Sequence, residues 1–253
     1  MSNPALTTNT FRSVGRAVGA SDVMTLGGTI IKTGILLVIL FAAGYVGWNM
    51  TGAVTAENPI DGLTIGLLIL SLIVGTVLAF VTIFVPRLAP FTSPLYAAAE
   101  GFLLGVVSAV TEQMFHGIVL QAILLTSGVL FAMLFLYLTR IIQPTRYFVI
   151  GVTAATAGIA LFYLLVMILS LFNVGSSVTA LVYGNSLLSI GISIFVVAIA
   201  ALNLIIDFGI IEQGVSVGAP KYMEWYGGFA LLVTLVWLYL EILRLLAKIR
   251  SRD

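Results

Sequence analysis

Residues 186–212 read SLLSIGISIFVVAIAALNLIIDFGIIE. No charged side chain appears in this stretch before Asp207. The run exceeds the roughly 20 apolar residues a helix needs to cross the hydrocarbon of a bilayer. A strand of a membrane barrel would alternate apolar and polar residues, and this stretch does not. It therefore reads as a transmembrane helix. Asp207 and Glu212 then pose the functional question, since both sit in or beside a segment that is otherwise membrane core.

The rest of the chain is of the same kind. Of 253 residues, 60% are hydrophobic and 8% charged, where a soluble domain carries about 25% charged residues. The deficit runs the whole length, so the chain is a polytopic membrane protein with the lipid bilayer as its first partner. A net charge of +1 leaves no basic footprint for nucleic acid. Without cysteine there are no disulfides, thiolate metal sites or cysteine nucleophiles. Residues 1–26 are polar, with Arg12, Arg16 and Asp22, and form a separate N-terminal segment ahead of one transmembrane domain over 27–253. The first apolar run, from Thr29, starts too late and runs too long for a signal peptide, and a mitochondrial presequence is the alternative.

Seven spans are expected, at about 29–50, 63–85, 94–111, 117–139, 147–172, 186–212 and 226–247. Backbone polar groups in lipid are satisfied within helices or closed barrels, so the fold class is an all-α seven-helix bundle. Prolines and charges punctuate the links: Glu57, Pro59 and Asp61; Pro86, Arg87, Pro90 and Pro94; Arg140, Pro144 and Arg146. Gly101 with Gly105, and Ala154 with Gly158, have the spacing that lets helices approach closely. Lys and Arg cluster before span one and in alternate links, at Arg87, Arg140, Arg146 and Lys221, which places the N-terminus in the cytoplasm. Arg244, Lys248, Arg250 and Arg252 oppose that pattern. Either the last segment stops short of crossing, or its basic tail is exported.

An ionised carboxylate at the bilayer centre costs about 2.5–3.5 kcal/mol on insertion scales. Glu100, Asp207 and Glu241 lie in or close to spans, and Glu212 and Glu224 flank the last link. Such acids should face the bundle interior, where desolvation and a neighbouring carboxyl favour the neutral form. That is the chemistry of a proton-sensitive gate or cation site. Asp207 is the foremost candidate, and Asn203, one turn earlier on the same face, is placed to hydrogen-bond it. Asp207 and Glu212 point about 140° apart on a helix and so do not form one site. Glu241 precedes Arg244 and Lys248 on one face, which an interfacial salt-bridged stripe would also explain. His116 is a lone histidine in a link. No HExxH, GxSxG, Walker or dinucleotide motif occurs, and the last span has no interior lysine for a retinal Schiff base, so the chain is not expected to be an enzyme or a photoreceptor.

The strings SPLYAAAEGFLLG (93–105), NLIIDFGIIEQGV (203–215), GAPKYMEWYG (218–227) and LVWLYLEILRLLAKIR (235–250) resemble the Bax inhibitor-1 family, most closely its bacterial branch. The resemblance implies six helices around a central C-terminal one, in a bacterial plasma membrane. It also implies a calcium leak channel controlled by pH through two aspartates, one ending the sixth span and one within the seventh. Asp207 matches the first. LYLE (238–241) corresponds to the string bearing the second, which makes Glu241 the partner, while Glu224 is nearer to Asp207 in sequence. Asp207, Glu241 and Glu224 are thus the expected pH-sensing residues, and Glu100, Glu212 and Asn203 the cation-pathway candidates. Arg87, Arg140 or Arg244 would pair with an acid in a closed state. No tightly bound cofactor is expected; calcium, as a permeant or weakly held ion, suits carboxylate and carbonyl oxygens. A second class of function is a non-conducting regulator of stress response or membrane-protein quality control, with other membrane proteins as partners.

Overall fold

The computed structural model describes residues 23–52, 60–172 and 184–252. Most of the polar N-terminal segment, the link bearing Glu57 and Pro59, and most of the Asn173–Asn185 link fall outside the described residues. Among those described, seven helices are long and apolar enough to span a membrane: α1 (Leu26–Thr51), α2 (Gly62–Phe84), α3 (Ala89–Met114), α4 (Ile118–Leu138), α5 (Arg146–Leu171), α6 (Leu187–Ser216) and α7 (Met223–Arg250). The extended pairing among them is one isolated bridge between Val23 and Pro220.

Local chemistry sets the ends. Thr25, Asp61 and Thr145 cap α1, α2 and α5, each accepting a hydrogen bond from the backbone three residues on, which satisfies amides a helix start leaves open. Gly117, in the left-handed region at φ 80°, turns the chain into α4. The largest departure from expectation is α3. Pro94 was expected to lie at its boundary, yet the helix begins at Ala89, after a 3-10 turn over Pro86–Leu88, and runs through Pro94. As the sixth residue of α3, Pro94 lies past the open amides of the helix start, so the helix forgoes the bond an N–H there would make to the Pro90 carbonyl.

The helices form two compact units. The first holds Gly117–Gly209 and Thr234–Asp253, thus α4, α5, most of α6 and the C-terminal part of α7. The second holds the described part of Pro4–His116 with Ile210–Val233, thus α1 to α3, the end of α6 and the start of α7. In the second unit α1 and α3 meet backbone to backbone. A Cβ on Gly101 would run into Leu40, and one on Gly105 into the Gly44 carbonyl. The expected packing role of that pair is correct. For Ala154 and Gly158 it is not: both are exposed and nothing lies near Gly158. In the first unit α5 instead turns Val152, Ile159 and Val166 inward. Small-residue spacing alone does not say which way a helix faces.

Phe84 (77% exposed), Phe131 (66%) and Leu161 (67%) are typical of large apolar side chains left uncovered along the spans. On a soluble protein such area marks an interaction site; here it is the lipid face. Burial is greatest in the last two helices. In the most apolar window of α7, 67% of residues are buried, against 61% in α6 and 44% or less in the others. The last helix is the enclosed one, as its apolar run Leu231–Leu240 demands.

Candidate functional site: a polar column along the last helix

Thr234, Glu241 and Lys248 recur every seven residues on α7 and are 3%, 1% and 5% exposed. Seven residues are close to two helical turns, so the three lie on one face about 10 Å apart. Each meets a polar partner within the first unit. Thr234 Oγ1 donates to Asp207 Oδ2 on α6 at 2.5 Å, and Asp207 is fully buried. Lys248 Nζ donates to Ser193 Oγ at 2.7 Å and to the Ser189 carbonyl at 3.3 Å, also on α6. Lys248 lies fourteen residues after Thr234 on α7, and Ser193 fourteen before Asp207 on α6, so the two helices run antiparallel in one register. Midway between Ser193 and Asp207 on α6, Ala200 is fully buried.

Tyr163 of α5 supplies Glu241 with its partner. Its hydroxyl donates to both Glu241 oxygens, at 3.0 and 3.1 Å, and accepts from Arg244 Nη1 at 2.9 Å. Arg244 Nη1 also lies 2.9 Å from each carboxylate oxygen, and its guanidinium stacks 5.3 Å from the Tyr163 ring. The acid of LYLE is therefore charge-paired and hydrogen-bonded, with 2% of its side chain exposed against 31% for Arg244. Charge-assisted bonds of this kind are about twice as strong as neutral ones.

Asn203 does not hold Asp207. Its Nδ2 donates to Thr156 Oγ1 of α5 and to the Ile199 carbonyl, both at 2.8 Å. Its Oδ1 and Thr153 Oγ1 are buried and accept no hydrogen bond from a described residue. The geometry carries α5 past α6 with Thr153 one turn from Thr156, near the level of Asp207. Two buried oxygens without donors there are suited to a water or a cation, because a buried polar atom left unsatisfied costs about 1–3 kcal/mol.

The other expected residues lie elsewhere. Glu224, 2% exposed in the second unit, accepts from the Thr25 backbone amide at 3.1 Å and from Thr25 Oγ1 at 2.9 Å. It caps the start of α1 from 199 residues away. Glu212 is exposed near the end of α6. Glu100 sits at mid-length of α3 in the second unit. The column thus gathers Asp207, Glu241 and Asn203 in one unit and leaves Glu224, Glu212 and Glu100 out of it. Of the three arginines weighed as partners, Arg244 pairs with an acid. Thr234, Tyr163, Thr156 and Ser193 were not foreseen. Thr234 alone left a trace in the sequence, as the hydroxyl interrupting an apolar run seven residues before Glu241.

Among the described residues no three His, Cys, Asp or Glu gather as a metal cluster, so a cation in the column would meet carboxylate oxygens one at a time, with hydroxyl and amide oxygens between. Neither the curated proteins nor the solved structures include a match to this chain. The family described as Bax inhibitor 1 like matches residues 3–251, nearly the whole length, and with its seven spanning helices the chain belongs to that family.

Proposed function

We propose that this protein is a pH-sensitive calcium leak channel of the Bax inhibitor-1 type, gated by membrane-embedded carboxylates. The observation that carries the reading is the polar column, in which Asp207 of α6 is held by Thr234 of α7, about two turns along α7 from Glu241, which is paired with Arg244. In the paired state the column is closed. Protonation of Glu241 removes the charge that holds Arg244, and protonation of Asp207 turns an acceptor of the Thr234 hydroxyl into a competing donor. Either event loosens one rung, and an ion passing along the column meets the free oxygens of Asn203 and Thr153 between the two carboxylates. The reading is of a transporter rather than an enzyme.

The N-terminus is proposed to face the cytoplasm of a bacterial plasma membrane, which the alternating Lys and Arg of the links support. Calcium flux into liposomes containing only the purified protein, measured across a pH series, tests the function. Flux that varies with pH, and loses that variation in Asp207→Asn, is expected. Absence of flux at every pH would leave the non-conducting regulator as the reading.

A further inference from the structure

We propose that Glu100 is a second proton-binding site of this protein, a neutral carboxyl at mid-membrane between α2 and α3, separate from the column on α7. Two independent registers put it at mid-depth. It is near the centre of α3 (Ala89–Met114), and it faces Gly75, near the centre of α2 (Gly62–Phe84). The same antiparallel pairing is fixed one end further on by Thr82 Oγ1, which donates to Thr92 Oγ1 at 2.7 Å. The face α2 turns inward is small and polar throughout, with Thr64, Ser71, Gly75 and Thr82 buried. Gly75 is where that face makes room: a Cβ there would sit 3.3 Å from Glu100 Oε2.

Nothing on the neighbouring helices supports a charge on Glu100. It makes no hydrogen bond or ion pair with any described residue, and α2 carries no Asp, Glu, Lys or Arg between Gly62 and Phe84. On α1, which packs against α3 through Gly44 and Gly101, Tyr45 points outward at 72% exposure and Lys32 lies three turns away, over the Trp225 ring at 5.1 Å. On α3 itself Tyr96 is one turn away, with its ring edge-on to Phe229. From the start of α7, Glu224 is held at Thr25 and Tyr226 is buried beside Phe229. An ionised carboxylate in such a place would bear the full cost of a mid-bilayer charge, and taking up a proton removes it. Glu100 is half-buried, so a reagent dissolved in the lipid can reach it.

A hydrophobic carbodiimide tests this on the full-length protein in lipid nanodiscs, with no dependence on calcium flux. A protonated carboxyl adds across one C=N bond of the reagent. Its proton passes to one nitrogen, its oxygen bonds to the central carbon, and acyl migration to nitrogen leaves a stable N-acylurea with no leaving group and no oxidant. Treatment of the wild-type protein with dicyclohexylcarbodiimide at neutral pH, mapped by mass spectrometry, should modify Glu100, and a water-soluble carbodiimide should not. Infrared spectra should show a protonated carboxyl stretch at neutral pH that Glu100→Gln removes and Glu100→Asp restores. The proposal is overturned if Glu100 stays unmodified while other carboxyls react, if both reagents modify it equally, or if Glu100→Gln leaves the infrared band unchanged. Loss of the flux reading above would leave these outcomes untouched.

Discussion

Asp207 is buried completely and accepts from the hydroxyl of Thr234. Thr234→Val keeps the shape of that side chain and deletes the donor, leaving a buried acceptor without this bond. The loss should be about 1–3 kcal/mol, read as a lower unfolding temperature in detergent. Asp207→Asn keeps an oxygen that accepts from Thr234 and so should fold. In a double-mutant cycle the Thr234→Val penalty should shrink in the Asp207→Asn background, with a coupling above about 0.5 kcal/mol. Additive losses would mean that the amide oxygen accepts from Thr234 as well as the carboxylate does, so that the acid adds nothing to the contact. Glu241 differs, because its charge is matched by Arg244 and its oxygens are filled by Tyr163.

At the scale of elements, two small-residue pairs of identical spacing behave differently. Gly105 lies against the Gly44 backbone, whereas Gly158 has nothing within 4 Å. Gly105→Ala should overpack the α1–α3 seam and cost about 1–3 kcal/mol. Gly158→Ala should leave stability unchanged or raise it, because alanine is the better helix former by about 1 kcal/mol. Thermal denaturation of both variants in one detergent decides the matter, and equal losses would contradict the packing described. The start of α1 shows the same dependence on distant chain, since the Glu224 carboxylate that completes its cap belongs to α7.

For the whole molecule, the conflict to settle is the basic C-terminus. At 1.5 Å per residue the 28 residues of α7 span about 42 Å, more than the roughly 30 Å hydrocarbon core, so the helix is long enough to cross fully. Two of the four cations that argue for a cytoplasmic tail are engaged inside the first unit, Arg244 with Glu241 and Lys248 with Ser193. We expect the tail to be exported. The chain contains no cysteine, so single cysteines report position without interference. With an impermeant maleimide on intact cells, Ser251→Cys and His116→Cys should react and Gln143→Cys should not. Labelling of Gln143→Cys alone would invert the topology.

Hydropathy and spacing by themselves determined that the chain crosses a membrane seven times, because an apolar run of this length has no other stable home and its backbone no other way to be satisfied in lipid. They also singled out Asp207, since a carboxylate in such a run is too costly to be incidental, while Glu241 came from the resemblance of LYLE (238–241) to the family. What they could not determine is which distant residue each acid meets. Asn203, one turn away on the same helix, was the local choice for Asp207, but its amide turns to Thr156 and Ile199 while Thr234 arrives from 27 residues on. Glu224 and Glu241 were equal contenders on paper and lie in different units. Local spacing dictates only which side chains share a helix face. The neighbour that face receives follows from the register of α5, α6 and α7, and that register is a property of packing, decided by the tertiary structure alone.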